Sequence, residues 1–265
     1  MLLLALACKD QKTTRSDDLS QNSPPPSTDA ILISPSSDVL PANHLKFYIE
    51  FLEPMARGDI FEHLSLINSD SGKLVPDPFR EVELWNESSH RLTLWFHPGR
   101  QKPGVNLNVE IGPILEEGKN YTLTISGDWQ TESGQTLGKS IQKKFRAGPM
   151  DNTQPNPDNW KYSIPAAGTT DPVTITFPTL LDYALIPRTI LIQSESNPHT
   201  DQRHDDRSIH FSPSSPWKAG RLSITIDPKL EDLAGNSIAR PFNLDLQSTS
   251  ELPKPPKLTR IFKIK

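Results

Sequence analysis

Along much of this chain apolar and polar residues alternate one for one. The clearest runs are LKFYIEF (45–51), RLTLWF (91–96) and YTLTIS (121–126). A period of two puts successive side chains on opposite faces of an extended strand. A helix needs apolar positions at i, i+3, i+4 and i+7, and few windows here sustain that spacing. The pattern predicts an all-β protein. One phrase occurs twice. LTISGDWQTESGQTL (123–137) and ITIDPKLEDLAGNSI (224–238) align without a gap, so that Ile125 falls on Ile226, Gly134 on Gly235 and Leu137 on Ile238, each 101 positions on. Each copy is an apolar run, a polar stretch, a glycine turn and a second apolar run, the mark of a return between two strands. A repeat at that spacing in a chain of 265 residues predicts two similar domains in tandem, each with its own core.

Proline sharpens this reading. The 26 prolines are about twice the usual share, and proline is excluded from helix interiors and central strand positions. Short strands separated by fixed turns are expected. Landmarks place domain 1 at 41–148, a Pro/Asn-rich linker at 149–159 and domain 2 at 160–247, with a basic tail at 248–265. Phe51-Leu-Glu-Pro-Met55 closes the first strand run of domain 1 and Phe177-Pro-Thr-Leu-Leu181 that of domain 2. Domain 1 is longer in two connections. The second of these, 97–118, is the longest irregular stretch in either domain. Loops on a rigid β scaffold are where function usually sits, so Arg100 and Lys102 in this loop, with Trp95 just before it, are the candidate binding residues.

The chain opens MLLLALACKD. A Leu/Ala run ending at a cysteine resembles the end of a bacterial lipoprotein signal peptide, in which the peptidase cuts before the cysteine and its thiol carries lipid. Ala7 and Cys8 fit that motif. The run is shorter than a complete signal and no Lys or Arg precedes it, so the expectation is a start codon placed too late, with residues 1–8 a truncated signal and Cys8 the lipidated residue. Residues 9–40 are rich in Ser, Thr, Asp, Asn, Gln and Pro, which predicts a flexible tether, with one short apolar run at 30–33 able to dock as a first strand. Cys8 is the single cysteine, which excludes an internal disulfide and a cysteine-based zinc site.

F-x-E-P-M near the first strand, then G-x-x-Y-T-L-x-I, then a glycine turn, resembles the bacterial Ig-like domains of surface-layer and other exported proteins. PWKAGRLSITIDPKLEDLAGNSIARPF (216–242) and LWFHPGRQKPG (94–104) are also similar to exported bacterial two-domain proteins without an assigned role. The resemblance implies tandem Ig-like β-sandwiches in the cell envelope and brings no catalytic residues with it.

The formal net charge is −4, without a basic stripe across the body, which argues against nucleic acid as a partner. The tail carries Lys254, Lys257, Arg260, Lys263 and Lys265, which fits an exposed, partly frayed terminus. His199, His204, Asp205, Asp206 and His210 bring metal-ligand chemistry together, but their spacing matches no ligand pattern, and a solvated hairpin turn explains them better. Asp232 and Asn236, with Glu231, offer oxygens to calcium, though fewer than the six or more it takes. The turn itself explains them: Gly235 supplies a positive φ, Asn236 tolerates the same region and Asp232 accepts backbone N–H groups. Trp129 stands where Leu230 stands in the second copy, which marks a packing position, and Trp160 is expected at the joint between the domains. Arg100 reads equally as an anion contact or as a tie to backbone carbonyls.

Together these observations predict a non-catalytic, lipid-anchored envelope protein with no cofactor and no metal, which meets an envelope protein or polysaccharide through its domains. The alternative is a carbohydrate-binding module that uses the 97–118 loop and an exposed tryptophan. A hydrolase built on the His/Asp cluster is a third reading.

Overall fold

The computed structural model describes residues 31–102, 104, 106–195, 197, 199–243 and 256–265. Cys8 and most of the expected tether lie outside them. Strands are numbered in chain order. In the first half, β1 (Leu32–Ser34), β3 (Lys46–Glu50) and β6 (Arg91–Trp95) form one antiparallel sheet, in that order. β2 (Val39–Pro41), β4 (Leu64–Asn68), β5 (Lys73–Leu74), β7 (Asn120–Ile125) and β8 (Ile141–Gly148) form the second, ordered β2-β8-β7-β4-β5. Alternation builds the core between them. Phe47 and Ile49 of β3 and Leu92 and Leu94 of β6 point inward and meet Leu66, Leu123, Ile125 and Phe145 of the other sheet. The rings of Phe47 and Phe96 cross edge to face at 5.5 Å.

The second half repeats the plan. β9 (Lys161–Ser163), β10 (Val173–Thr176), β12 (Thr200–His204) and β13 (Ser208–Pro213) pair in the order β12-β13-β10-β9. β11 (Ile190–Ser194), β14 (Gly220–Ile226) and β15 (Leu258–Ile264) pair as β11-β14-β15. A separate core fills the space between these two sheets, with Val173, Ile175, Ile209 and Phe211 on one side and Ile190, Leu222, Ile224 and Ile226 on the other. Lettered A to G along the chain, the second unit reads D-E-B-A against C-F-G, the strand order of a constant-type immunoglobulin domain. The first reads A-B-E against A′-G-F-C-C′. Its A strand is split at Pro35. β1 pairs with β3 in one sheet, and β2 crosses to run parallel with β8 in the other. A C′ strand extends the G-F-C sheet as in variable-type domains. The fold is all-β, two Ig-like sandwiches in tandem.

A second Ig signature sits at Tyr121, next to the first residue of β7. Its hydroxyl accepts the Glu116 amide hydrogen at 2.8 Å. This is the tyrosine corner that fixes the chain between strands E and F. The 97–118 connection it closes is ordered into two short helices, α1 (Pro98–Gln101) and α2 (Asn106–Ile111).

Three expected boundaries change. The composition predicts a tether to residue 40, but β1 and β2 are strands of the first unit. The basic tail is the G strand of the second: β15 pairs with β14 from Gly220↔Ile264 to Ile226↔Leu258, and Ile264 is buried in the core. Its Arg260 and Lys263 stand on a strand at the sheet margin, where charge discourages pairing with another chain. The stretch around His199 was expected as a polar turn. Most of it is the edge strand β12, and only 205–207 turn the chain.

The repeated phrase is one structure built twice. In the first copy Thr131 N donates to Gln135 O, Gly134 N to Thr131 O and Leu137 N to Trp129 O. In the second, Asp232 N donates to Asn236 O, Gly235 N to Asp232 O and Ile238 N to Leu230 O. Gly134 and Gly235 have φ of 86° and 81°, the left-handed region that glycine tolerates best. Their surroundings differ. A Cβ on Gly134 would meet nothing within 4 Å, whereas one on Gly235 would lie 2.5 Å from Leu45 Cδ1 and 2.9 Å from Phe242 Cδ2. Gly134→Ala is expected to cost about 1 kcal/mol, the penalty for a side chain at positive φ. Gly235→Ala adds overpacking and should cost about 2–4 kcal/mol. Urea unfolding of the two variants checks this, and equal losses would remove the contact with Leu45 from the account.

Candidate functional site: the junction between the two units

β3 is buried on both faces. Its inward residues belong to the first core, while its outward residues Lys46 and Tyr48 are covered by the second unit. Lys46 Nζ lies 2.5 Å from Asp182 Oδ2 and 3.4 Å from Glu231 Oε2. The Tyr48 hydroxyl donates to Asp182 at 2.8 Å. Asp182 Oδ1 also accepts the amides of Ala184 and Leu185, both at 3.1 Å, at the entry to α3 (Ile186–Thr189). The buried carboxylate thus has a cation, a phenol and two backbone donors. Loss of solvent, then the facing Asp182 charge, push the Tyr48 hydroxyl far above its ordinary range. Burial likewise raises Glu231, against the pull of Lys46.

The second copy of the repeated turn docks beside this cluster. Leu233, Ala234 and Gly235 at its tip are buried, and Leu45 N donates to Leu233 O at 3.0 Å. Asp232 holds the turn closed: Oδ1 accepts the amides of Ala234 and Asn236 at 2.8 and 2.9 Å, and Oδ2 accepts Asn236 Nδ2 at 2.8 Å. Burial raises its pKa to about 7 against those donors. Asn236 and Asn43 both donate to the carbonyl of Asp151, at 3.0 and 2.7 Å, which ties down the start of the linker. His44 lies next to this contact, fully buried, its ring set edge-on to Phe47 and Phe96. Neither of its nitrogens makes a hydrogen bond of ordinary geometry. Burial lowers its pKa to about 3.

The other sequence candidates fall into place around the junction. Asp206 accepts Ser36 N at 2.8 Å and so ties the crossing between β1 and β2 to the second unit. Asp205 accepts the amides of Arg207 and Ser208 and closes the hairpin. His204 packs against Tyr183 with ring centroids 4.6 Å apart and the planes tilted by 36°, and burial lowers its pKa. His210 bonds Thr174 and Ser208 in mid-sheet, and His199 is exposed. These groups serve separate contacts, and among the described residues no three His, Cys, Asp or Glu side chains converge as a metal site.

Arg100 is not an anion contact. It is buried, and its guanidinium donates to four carbonyls, those of Gly112, Pro76, Asp77 and Pro113. That tie packs the 97–118 connection onto the body. Gln101 beside it donates to His44 O at 2.6 Å. Trp129 and Trp217 are core residues, and Trp160 packs on Phe177 inside the second core instead of at the joint. Trp85 packs against Phe51 and Trp129. Trp95 is half-buried, with Lys46 Nζ 4.8 Å above its ring. It lines, together with Lys102, a groove of about 280 Å³ at the margin of the junction. The sequence singles out both residues, Lys102 in the 97–118 loop and Trp95 just before it, but not the wall they face. Their other wall comes from the second unit, at Glu231, Ser237, Arg240 and Phe242.

No protein-family model matches this chain, and no curated protein matches it in sequence. Among solved structures it is similar to the N-terminal part of the bacterial S-layer protein SbsC, with 12% identity and a TM-score of 0.30 over 69% of this chain and 38% of that one. It is also similar to a chimeric titin Z1Z2, with 10% identity and a TM-score of 0.24 over 86% and 91%. The chain spans well under half of the S-layer fragment. At these scores neither likeness carries an argument, and the Ig-type assignment stands on strand order and on Tyr121.

Two predictions test the junction. Asp182→Ala strips Lys46 of its nearer partner, Tyr48 of its acceptor and the amides of Ala184 and Leu185 of theirs, and is expected to cost about 3 kcal/mol or more. Adding Lys46→Met should recover part of that loss, because the uncompensated buried charge is gone. A double-mutant cycle by urea unfolding measures the coupling, and strictly additive effects would dissolve the pair. The second concerns pH. The unfolded chain protonates His44 below about 6.5, while the folded chain resists to about 3. The unfolded state then binds more protons, so this contribution is complete above pH 6.5 and is lost as pH falls toward 3. Asp232, raised to about 7, acts with the opposite sign, its contribution fading as pH rises toward 7. The stability difference between the native chain and His44→Leu isolates the histidine. It should shrink by about 1.4 kcal/mol per pH unit on acidification below 6.5. A difference independent of pH would show that His44 is charged in both states.

Proposed function

We propose that this protein is a non-catalytic interaction protein of the bacterial cell envelope, held by lipid at Cys8, with its two Ig-like units acting as one stiff body. The observation that carries the reading is the use made of its reactive side chains. Lys46, Asp182, Tyr48, Asp205 and Asp206 are committed to holding the units together and to closing turns. A buried ion pair is weak evidence for added stability, and in this reading the pair serves to fix the orientation of the units. Fixed orientation is what a protein needs if it is to present a surface at a set distance from its anchor. Among the described residues no helix is long and apolar enough to cross a membrane, and in this reading attachment falls to Cys8, with the residues up to about 30 as the tether. A single acyl chain binds a membrane only marginally, so the diacylglycerol of a bacterial lipoprotein suits stable attachment.

Expression of the full chain behind a complete lipoprotein leader, with metabolic labelling by an alkyne fatty acid, tests the anchor. The native chain is expected to label and to sediment with membranes. Cys8→Ser should neither label nor sediment. Equal sedimentation of both would defeat the anchor, while leaving the tandem fold untouched.

A further inference from the structure

The groove at the margin of the junction exists only because the units dock. One wall is Trp95 at the end of β6 and Lys102 just after α1, and the other is the segment after β14, with Glu231, Arg240 and Phe242. Ser237 exchanges hydrogen bonds with the backbone of Arg240, its hydroxyl donating to Arg240 O and accepting Arg240 N at 3.1 Å each. That exchange fixes the backbone from which the guanidinium projects. Phe242 is set in turn by its own amide, which donates to Asn236 Oδ1 at 3.0 Å. The groove is therefore framed by the same turn that closes the junction.

Its chemistry has two parts. Trp95 and Phe242 supply aromatic surface, with Leu45 between the units. Among the described lining residues Lys102 and Arg240 carry positive charge, and the one acid, Glu231, faces Lys46 at 3.4 Å and also interacts with Arg240. The balance of charge in the groove is positive. A volume of about 280 Å³ lies just below the usual range for sites that enclose a drug-sized molecule, about 300–1,000 Å³. It suits a single ring.

We propose that this groove binds one acidic sugar residue, a pyranose bearing a carboxylate, at the end or branch of a glycan. The C–H face of the ring lies on the aromatic surface. The guanidinium of Arg240 takes the carboxylate through two parallel N–H donors, a geometry that a lysine cannot copy. A neutral hexose offers Arg240 only hydroxyl acceptors, without the charge-assisted pair, and a simple carboxylate offers no ring face to Trp95. Recognition requires both groups on one molecule. The site needs the docked units and needs neither Cys8 nor a membrane, so it stands or falls apart from the anchor.

Calorimetric titration of the full chain with glucuronate, glucose and propionate tests it, with tryptophan fluorescence as the second readout. Glucuronate is expected to bind saturably with a Kd in the millimolar range and to shift the emission. Glucose and propionate should each bind at least about tenfold more weakly, a difference of about 1.4 kcal/mol. Arg240→Gln should weaken glucuronate to the level of glucose. Arg240 is exposed, so the variant keeps the fold, and Arg57→Gln, in the first unit and outside the groove lining, should bind as the native chain does. Absence of saturable glucuronate binding would overturn the proposal. So would propionate or glucose equalling glucuronate, or an Arg240→Gln variant that binds unchanged.

Discussion

The contact on which this molecule depends is the one between Lys46 and Asp182 across the outer face of β3. Either charge alone would be costly so far from water, since the effective penalty for burying an ion is several kcal/mol. The structure meets that cost by completeness. Asp182 has Lys46, Tyr48 and two backbone amides, and Lys46 has Glu231 as well and the face of Trp95. Such a cluster adds little net stability, but it tolerates few arrangements. Sliding the second unit by one residue along β3 would bring Phe47 or Ile49 under Asp182, and these point into the first core. The apolar contact of Leu233 and Ala234 supplies the attraction, and the charges supply the register.

The two copies of the repeated turn show how the docking arose from parts that already fold. The backbone hydrogen bonds that close the two turns correspond, and each copy bridges to a residue just beyond an earlier strand, Met55↔Thr131 after β3 in the first unit and Leu181↔Asp232 after β10 in the second. The backbone is therefore indifferent to whether the tip is covered. The tip residues are not. Where the second copy has Leu233 and Ala234, the first has Glu132 and Ser133, and these are exposed. The same turn is a free end in one unit and a plug in the other, and two side chains make the difference.

Much of this was legible in the sequence, and the misses have physical causes. Alternation identified β3, β6 and β7, and the repeat identified the turns, because both are local. In the same alternating run Lys46 and Tyr48 fall on the face opposite the apolar one, and such a face is ordinarily turned to solvent. Only knowledge of what lies opposite shows that it is buried. β15 was missed because Arg260, Lys263 and Lys265 look like a solubilised terminus, and the strand it joins, β14, is more than thirty residues away in sequence. Edge-strand lysines and tail lysines are indistinguishable without the partner strand. The contrast between Leu233-Ala234 and Glu132-Ser133 was the one signal in the sequence that pointed to the junction, since an apolar pair at the tip of a turn needs a cover.

Arg100 shows how a long insertion can serve the body before it serves a ligand. The 97–118 connection reaches the first core through Ile114 and Leu115, but α2 leaves Val109 exposed. A guanidinium bonded to four carbonyls does the work of a small core, because it satisfies backbone acceptors that a buried loop would otherwise strand. Gln101 extends the tie to His44 O, at the start of the docking strand. The insertion thus braces the face on which the second unit rests. The groove follows from that bracing: Lys102 comes immediately after Arg100 and Gln101, so the residues that hold the loop down also set where its next cation stands.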